Sequence, residues 1–416
     1  MTYRWFMGLV GALRVAFAPA PSGAQETVSH IPFVPGLALL SSLHFPEGDR
    51  ENVVEVVSVD SSGVRYAWSL IEIRESGDTI VEKFARHVRA NDLAGAPRLD
   101  PVFMQNEGEE RPGYTAFSIS SAVYTELRDR GSAAYSVTAM ESAGGLFDAA
   151  AKALAGGVVR QRARYKGKLS RVSPRPAPFP LIVDGRRVTV PALHLRGSFA
   201  RGLKRQEYEY WVLADSAHPL LLKSVVQGHV FQLVRVNFPL DLPAGAGAGT
   251  GLAMGDGETP VGQGAGAGTG AGGGAGGSGG RGGRGPTGGL GGVGILEREL
   301  DTACRIELPG VYFAFNSARI DPASDRSLGA LARVLAGHPD WVITVEGHTD
   351  SIGTAAANQA LSQRRAEAVR ARLAERHGMN TSAWKAVGFG PSRPREPNAT
   401  IEGRARNRRV ELVRDC

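Results

Sequence analysis

The sequence predicts two folded domains, a mainly antiparallel β region and a C-terminal α+β domain, joined by a long disordered Gly/Ala-rich linker. Three observations carry this prediction. Apolar residues alternate with period two through much of residues 30–240. From 243 to 294 the chain is almost entirely Gly, Ala, Ser and Thr, as in Gly264-Ala265-Gly266-Ala267-Gly268. Beyond it, helix-spaced and strand-spaced apolar patterns follow each other. A chain of 416 residues suits two domains of about 100–200 residues each.

Residues 1–24 have the features of a signal peptide. Arg4 precedes an apolar run from Trp5 to Phe17, interrupted by Arg14, and Ser22-Gly23-Ala24 offers small residues for cleavage. No cysteine follows that run, so lipid attachment is not expected, and the mature chain is expected to be exported.

In residues 25–242, Val64, Tyr66, Trp68 and Leu70 alternate with Arg65, Ala67 and Ser69, the period of a half-buried strand. Tyr208, Tyr210 and Val212 repeat it. Val225-Val226 and the run Val230 to Val236 flank Gly228, which predicts a hairpin. One helix is expected near Leu146 to Leu154. The 243–294 segment holds too little apolar side chain to offset its ordering entropy, and as a coil it would span about 40 Å.

In residues 295–416, Val311 to Phe315 reads as a strand. Leu328, Leu331 and Leu335 share one helix face, with Asp325 as the expected N-cap. Val342 to Val345 is a second strand, ending at Gly347. A second helix runs from Leu361 to Arg376, with Ala366, Val369 and Leu373 on one face and Gly378 at its end. Trp384–Phe389 and Arg409–Val413 add two strands. The expected order is β-α-β-α-β-β, a mixed sheet with helices on one side.

Composition narrows the function. The net charge of +7 permits attraction to an acidic polymer. The run Arg404, Arg406, Arg408 and Arg409 lacks the aromatic platforms or recognition helix of a nucleic-acid reader, so no nucleic-acid partner is expected. Cys304 and Cys416 bracket the C-terminal domain, and in an exported protein such a pair predicts a disulfide. His30, His44, His87, His194, His218 and His229 show no ligand spacing, and no nucleophile motif appears. Neither a metal, a cofactor nor catalysis is expected.

Three segments carry the chemistry. The first is Tyr312-Phe313-Ala314-Phe315-Asn316-Ser317-Ala318. The second is Glu346-Gly347-His348-Thr349-Asp350-Ser351-Ile352-Gly353, continued by Asn358-Gln359-Ala360-Leu361-Ser362-Gln363-Arg364-Arg365-Ala366. The third is Gly403-Arg404-Ala405-Arg406-Asn407-Arg408-Arg409-Val410-Glu411. In this order and spacing, over about 105 residues, they resemble the OmpA-like family, which includes peptidoglycan-associated lipoprotein and the flagellar stator anchor. The resemblance implies non-covalent binding of the peptidoglycan stem peptide at meso-diaminopimelate, in the periplasm or at the outer membrane of a Gram-negative-type envelope. Carried over by motif, it implies ligand roles for Asp350, Arg365 and Asn358.

The residue types suit that ligand. Diaminopimelate presents an ammonium and a carboxylate on one short side chain, so its site needs an anion beside a cation. Asp350 sits just past a strand end, where its charge is expected to stay solvated until ligand arrives. Arg365 offers a planar fork to a carboxylate and shares an i±4 row with Leu361 and Val369, whereas Arg364 points to solvent. Free amides near Asn358 to Ser362 would add to the attraction. Thr349, Leu361, Asn316 and Ser317 complete the expected pocket, and Arg409 stands for the third segment, where one of Arg408 and Arg409 is structural. A mutual Asp350–Arg365 ion pair is the structural alternative. Glu346, His348 and Asp350 could also be mistaken for a metal site.

The stretch Val188 to Phe238, through Trp211-Val212-Leu213-Ala214-Asp215 and Pro219-Leu220, resembles half-barrel domains of bacterial envelope proteins, some of which carry lipid or lipoprotein. The N-terminal region is thus expected to meet outer-membrane or envelope proteins. A lipid carrier and a wall-modifying enzyme held at its substrate are the competing readings.

Overall fold

The computed structural model describes residues 26–45, 48–73, 79–101, 109–142, 160–240 and 292–416. The expected signal peptide, the helix near 146–154 and nearly all of the 243–294 segment lie outside these residues.

The N-terminal domain is one 13-stranded sheet. Its strands are β1 (Ala38–Phe45), β2 (Gly48–Asp60), β3 (Gly63–Ile73), β4 (Thr79–Arg89), β5 (Arg98–Leu99), β6 (Glu109–Glu110) and β7 (Ser132–Ser142). They continue with β8 (Arg160–Arg171), β9 (Ala177–Val183), β10 (Arg186–Arg201), β11 (Lys204–Leu213), β12 (Leu221–Val226) and β13 (His229–Asn237). Helices α1 (Ala90–Gly95) and α2 (Ser121–Arg130) interrupt them. The order is β5-β7-β8-β10-β11-β12-β13-β1-β2-β3-β4-β6, with β9 paired to both β10 and β13. Among the described residues the end strands β5 and β6 do not pair with each other, so the 13-stranded sheet as a whole does not close into a barrel, while β9 bridges β10 and β13 within it.

The expected alternation is present at Val64 and Tyr66, buried, and Arg65, exposed, but not at Ala67, Trp68 and Ser69, which are all half-buried; the Leu70 side chain lies outside the described residues. The β12–β13 hairpin turns at Gln227-Gly228, both at positive φ, the conformation that a two-residue primed turn demands. Two apolar clusters serve this domain, one around Tyr66, Val190 and Val236, the other around Tyr135, Leu195 and Phe199.

The C-terminal domain holds α3 (Gly292–Thr302), β14 (Arg305–Glu307), α4 (Asp325–Ala336), β15 (Ile343–His348), α5 (Ala355–His377), β16 (Lys385–Gly388), α6 (Ile401–Asn407) and β17 (Arg409–Arg414). Its sheet runs β14-β17-β15-β16, parallel only between β15 and β16. This is the expected mixed sheet with two additional helices. The first strand is Arg305–Glu307 and not Val311–Phe315, where only Phe313 makes a bridge, to Ile320. Pairing with β17 requires the residues next to Cys304. Asp325 is not the N-cap of α4: a 3-10 turn at Pro322–Ser324 leads into the helix, and Ser324 is the flanking residue. Helix α5 begins six residues before the expected Leu361, because Thr354 accepts from the Ala357 amide as N-cap. Gly378, at φ 65°, ends it as expected.

Burial explains the sheet's sidedness. Val345, Val410 and Leu412 face Ala366, Val369 and Leu373 of α5. Gly347 and Gly388 lie opposite each other in the parallel pair. A Cβ on Gly347 would come within 2.2 Å of the Ser362 carbonyl oxygen, and one on Gly388 within 2.3 Å of the Gln363 amide. Two glycines in register therefore set how closely α5 approaches the sheet, and with it the position of Arg365.

Cys304 and Cys416 form a disulfide with a Cα separation of 6.2 Å across 112 residues. It joins the start of β14 to the end of its antiparallel neighbour β17. Replacing both cysteines by serine should lower the stability of the C-terminal domain by about 2–4 kcal/mol in urea unfolding, and reductant should have the same effect on the wild type alone.

Candidate functional site

The site forms where the loop after β15 meets the start of α5. Asp350 Oδ1 accepts from the Ile352 amide at 3.0 Å, turning the loop. Asn358 fixes that turn, its Nδ2 donating to the Ile352 carbonyl at 2.8 Å. Arg365, nearly three turns into α5, lays its guanidinium over the Phe313 ring at 4.8 Å and donates from Nε to the Ser317 carbonyl at 2.9 Å. Asn316 sits at positive φ on the exposed rim, a conformation that Asn tolerates better than most residues.

The sequence placed Asp350 in solvent. It is 7% exposed, and its cost of burial is already met by Arg408, whose NH1 donates to Asp350 Oδ2 at 2.6 Å. Arg365 is equally buried at 8%, and Arg364 beside it is exposed, as the helix row required. Burial pushes the Arg365 guanidinium down to about 10, against the opposing pull of the Glu51 and Asp350 carboxylates. It remains a cation at neutral pH. Asp350 is thus held by Arg408, and the structural alternative of a direct Asp350–Arg365 ion pair is not what the site shows. The amides at 358–362 are not free; the Asn358 amide already donates to Thr354 within α5. Thr349 is 4% exposed and its hydroxyl has no hydrogen-bond partner, while Leu361 supplies buried apolar wall.

Of the two adjacent arginines, Arg408 reaches this site. Arg409 lies on the opposite face of the sheet from α5. There it donates to Glu411 Oε1 at 2.5 Å, within a charged layer of Glu346, His348 and Glu411. The alternation of β17 decides this: Val410 and Leu412 take the apolar face, so Arg409 and Glu411 must take the other. The strand expected at Arg409–Val413 begins where β17 does, so the alternation of Val410 and Leu412 with Arg409 and Glu411 was already there to assign the pair. No sequence signal pointed to two further contributors, Asp49 and Glu51 of β2, which lie some 300 residues upstream and bond to Arg408.

Residues 312–408 match the family model described as the OmpA family. The C-terminal domain belongs to the OmpA family. Its segment is similar to outer membrane porin F of Pseudomonas aeruginosa, 48% identical over 107 residues, which is 26% of this chain and 30% of the relative. It is also similar to peptidoglycan-binding protein ArfA of Mycobacterium tuberculosis, 39% identical over 103 residues, 25% of this chain and 31% of the relative. Among solved structures, the peptidoglycan-associated lipoprotein of Burkholderia pseudomallei is 36% identical, covering 25% of this chain and 88% of that one, with a TM-score of 0.24. The chain spans about a third of the length of these two curated relatives.

The charged layer of the OmpA-family domain has metal-like composition. Ligand atoms of Glu346, His348 and Glu411 lie within 4.8 Å of one another. Arg305 NH1 bonds both carboxylates, and Arg409 and Arg395 add to Glu411, so the anionic charge is already matched by guanidinium. The expected mistaken trio also differs in membership, since Asp350 points to Arg408 and Glu411 takes its place.

Burial, reinforced by Arg409, pushes the His348 imidazole from 6.5 down to about 4. Burial alone would raise the Glu411 carboxyl, but hydrogen bonds and charge from Arg409 and Arg305 hold it at about 2. Both folded-state values lie below the ordinary ones, so each contribution is complete above about 6.5 and 4.5 and is lost as pH falls toward 4 and 2. In acid titrations of unfolding free energy, His348→Phe should remove a loss of about 1–3 kcal/mol between pH 6.5 and 4, leaving the loss at lower pH.

Proposed function

We propose that the OmpA-family domain binds peptidoglycan without covalent attachment, holding the diaminopimelate of the stem peptide, and so anchors the β domain to the cell wall. The observation that carries this reading is the convergence at one loop–helix junction of a buried carboxylate, Asp350, and a buried guanidinium, Arg365, beside the unpartnered Thr349 hydroxyl. Buried opposite charges joined mainly through third parties, rather than to each other, suit a ligand that carries one charge of each sign. The ammonium would meet Asp350 and the carboxylate Arg365, each charge-assisted bond contributing about 1.5–3 kcal/mol. Individually weak sites repeat along the polymer, and that repetition sustains attachment.

The descriptions of ArfA and of the lipoprotein relative support peptidoglycan as the partner. That of porin F supports a place at the outer membrane, which the reading extends to the periplasmic side of a Gram-negative-type envelope. The role is attachment rather than catalysis, and the β domain is its cargo, directed to envelope partners. No helix among the described residues is long and apolar enough to cross a membrane.

Residues 292–416, with their own sheet, disulfide and core, are the piece to assay. Co-sedimentation with purified diaminopimelate-type peptidoglycan should pellet the wild type. Asp350→Ala and Arg365→Ala should each reduce the pelleted fraction roughly tenfold or more, the loss of at least one charge-assisted bond. Equal pelleting of all three would sink the reading.

A further inference from the structure

The β domain is docked on the OmpA-family domain over the candidate site itself. Strand β2 presents Asp49 and Glu51 on one face, two residues apart. Arg404 grips Asp49 with both arms, Nε to Oδ2 at 2.8 Å and NH2 to Oδ1 at 3.0 Å. Arg408 donates from Nε to Glu51 at 2.9 Å and from NH2 to the same oxygen at 2.5 Å, and from NH1 to Asp49 at 3.3 Å. That same NH1 holds Asp350. Glu51 is also the strongest opposing charge felt by Arg365. Between the two acids, Arg50 sets its guanidinium 5.4 Å over the ring of Phe315, which is 43% exposed on the site's rim.

The Asp49-Arg50-Glu51 segment therefore brings to this place two carboxylates and one cation, the charges that a stem peptide would bring. An apolar seam fixes the docking behind it, where Leu40, Val53 and Val234 pack against Tyr312 and Ala405. Arg235 extends it by donating to Glu307 at 3.0 Å and to the carbonyls of Ala405 and Arg408.

We propose that the Asp49–Glu51 segment of β2 is an intramolecular occupant of the stem-peptide site, so that docking of the β domain and binding of peptidoglycan exclude each other. This rests on the reading of the site given above. Arg408 cannot give the same N–H groups to Glu51 and to an incoming carboxylate, and Glu51 already supplies Arg365 with the negative charge that such a carboxylate would bring. Ligand access requires β2 to leave, and the apparent affinity of the full chain is the intrinsic affinity scaled by the undocked fraction. Covalent connection keeps the occupant at an effective concentration on the order of millimolar, so a weak segment suffices to compete.

The test uses the full chain. Asp49→Asn/Glu51→Gln removes both negative charges with little change of shape. It should lower the amount of peptidoglycan needed for half-maximal pelleting by roughly tenfold relative to wild type, equivalent to about 1.4 kcal/mol of docking released. Arg365→Ala added to it should abolish the gain. Glu51→Gln alone, which leaves the Arg404–Asp49 pair intact, should show a smaller gain. Hydrogen exchange of residues 48–54 in the wild type should speed up when a soluble diaminopimelate muropeptide is added. Equal pelleting of wild type and both variants, with no change in exchange, overturns the occlusion. If residues 292–416 still pellet, the reading of the site survives that result; if they do not, the site reading fails on its own.

Discussion

Arg408 is the residue on which the arrangement of the two domains turns. One guanidinium meets carboxylates from the β15 loop and from β2, two segments far apart in sequence. A desolvated arginine left without partners would be severely destabilising, whereas a paired one roughly breaks even. The bridge is therefore less a source of stability than a demand for geometry: wherever Arg408 and Asp350 are buried, further negative charge must be supplied. Strand β2 supplies it, and Arg404, 5% exposed, makes the same demand of Asp49. Arg235 completes the pattern in the opposite direction, a β-domain cation set against Glu307 and the carbonyls at the end of α6.

Three of the four arginines in the run Arg404, Arg406, Arg408 and Arg409 are turned to carboxylates within the protein. Arg404, Arg408 and Arg409 each spend their charge inside the protein, on Asp49, on Glu51 with Asp350, and on Glu411. The four-stranded sheet is the device that sorts them. Its apolar face takes the helices through Val345, Val410 and Leu412, and its other face gathers Arg305, Glu346, Arg409 and Glu411 into a mutually neutralising layer. Buried carboxylates and guanidiniums coexist there because each is matched, which is also why the layer has little use for a metal ion.

Much of this was legible locally. Periodicity located most strands and both long helices of the OmpA-family domain, and Gly378 marked a helix end because αL favours glycine. The hairpin at Gln227-Gly228 was legible for the same reason. The strand at Arg305–Glu307 was not, since three residues carry no period and only pairing with β17 defines it. The start of α5 was hidden because its first turn is alanine-rich and its cap, Thr354, lies outside the apolar stripe. At the site, Asp350, Asn358 and Arg365 could be named from motif and helix phase. The burial of Asp350 could not, because its partner Arg408 is in turn held by Asp49 and Glu51 of the other domain. Nothing in the sequence pattern singled out Asp49 and Glu51.

Such an interface differs in kind from an apolar one. A seam held only by side chains such as Leu40 and Val234 would resist a charged ligand, which has nothing to offer buried hydrocarbon. A seam closed by Arg404 and Arg408 against Asp49 and Glu51 can be opened by any ligand that supplies equivalent charges, because the desolvation cost of the arginines is met in both states. Under the proposed occlusion the coupling would be reciprocal: whatever favours the undocked β domain would strengthen the stem-peptide site, and occupation of that site would free the face of β2. An anchor built this way would expose its cargo domain when it is attached, and keep both surfaces covered when it is not.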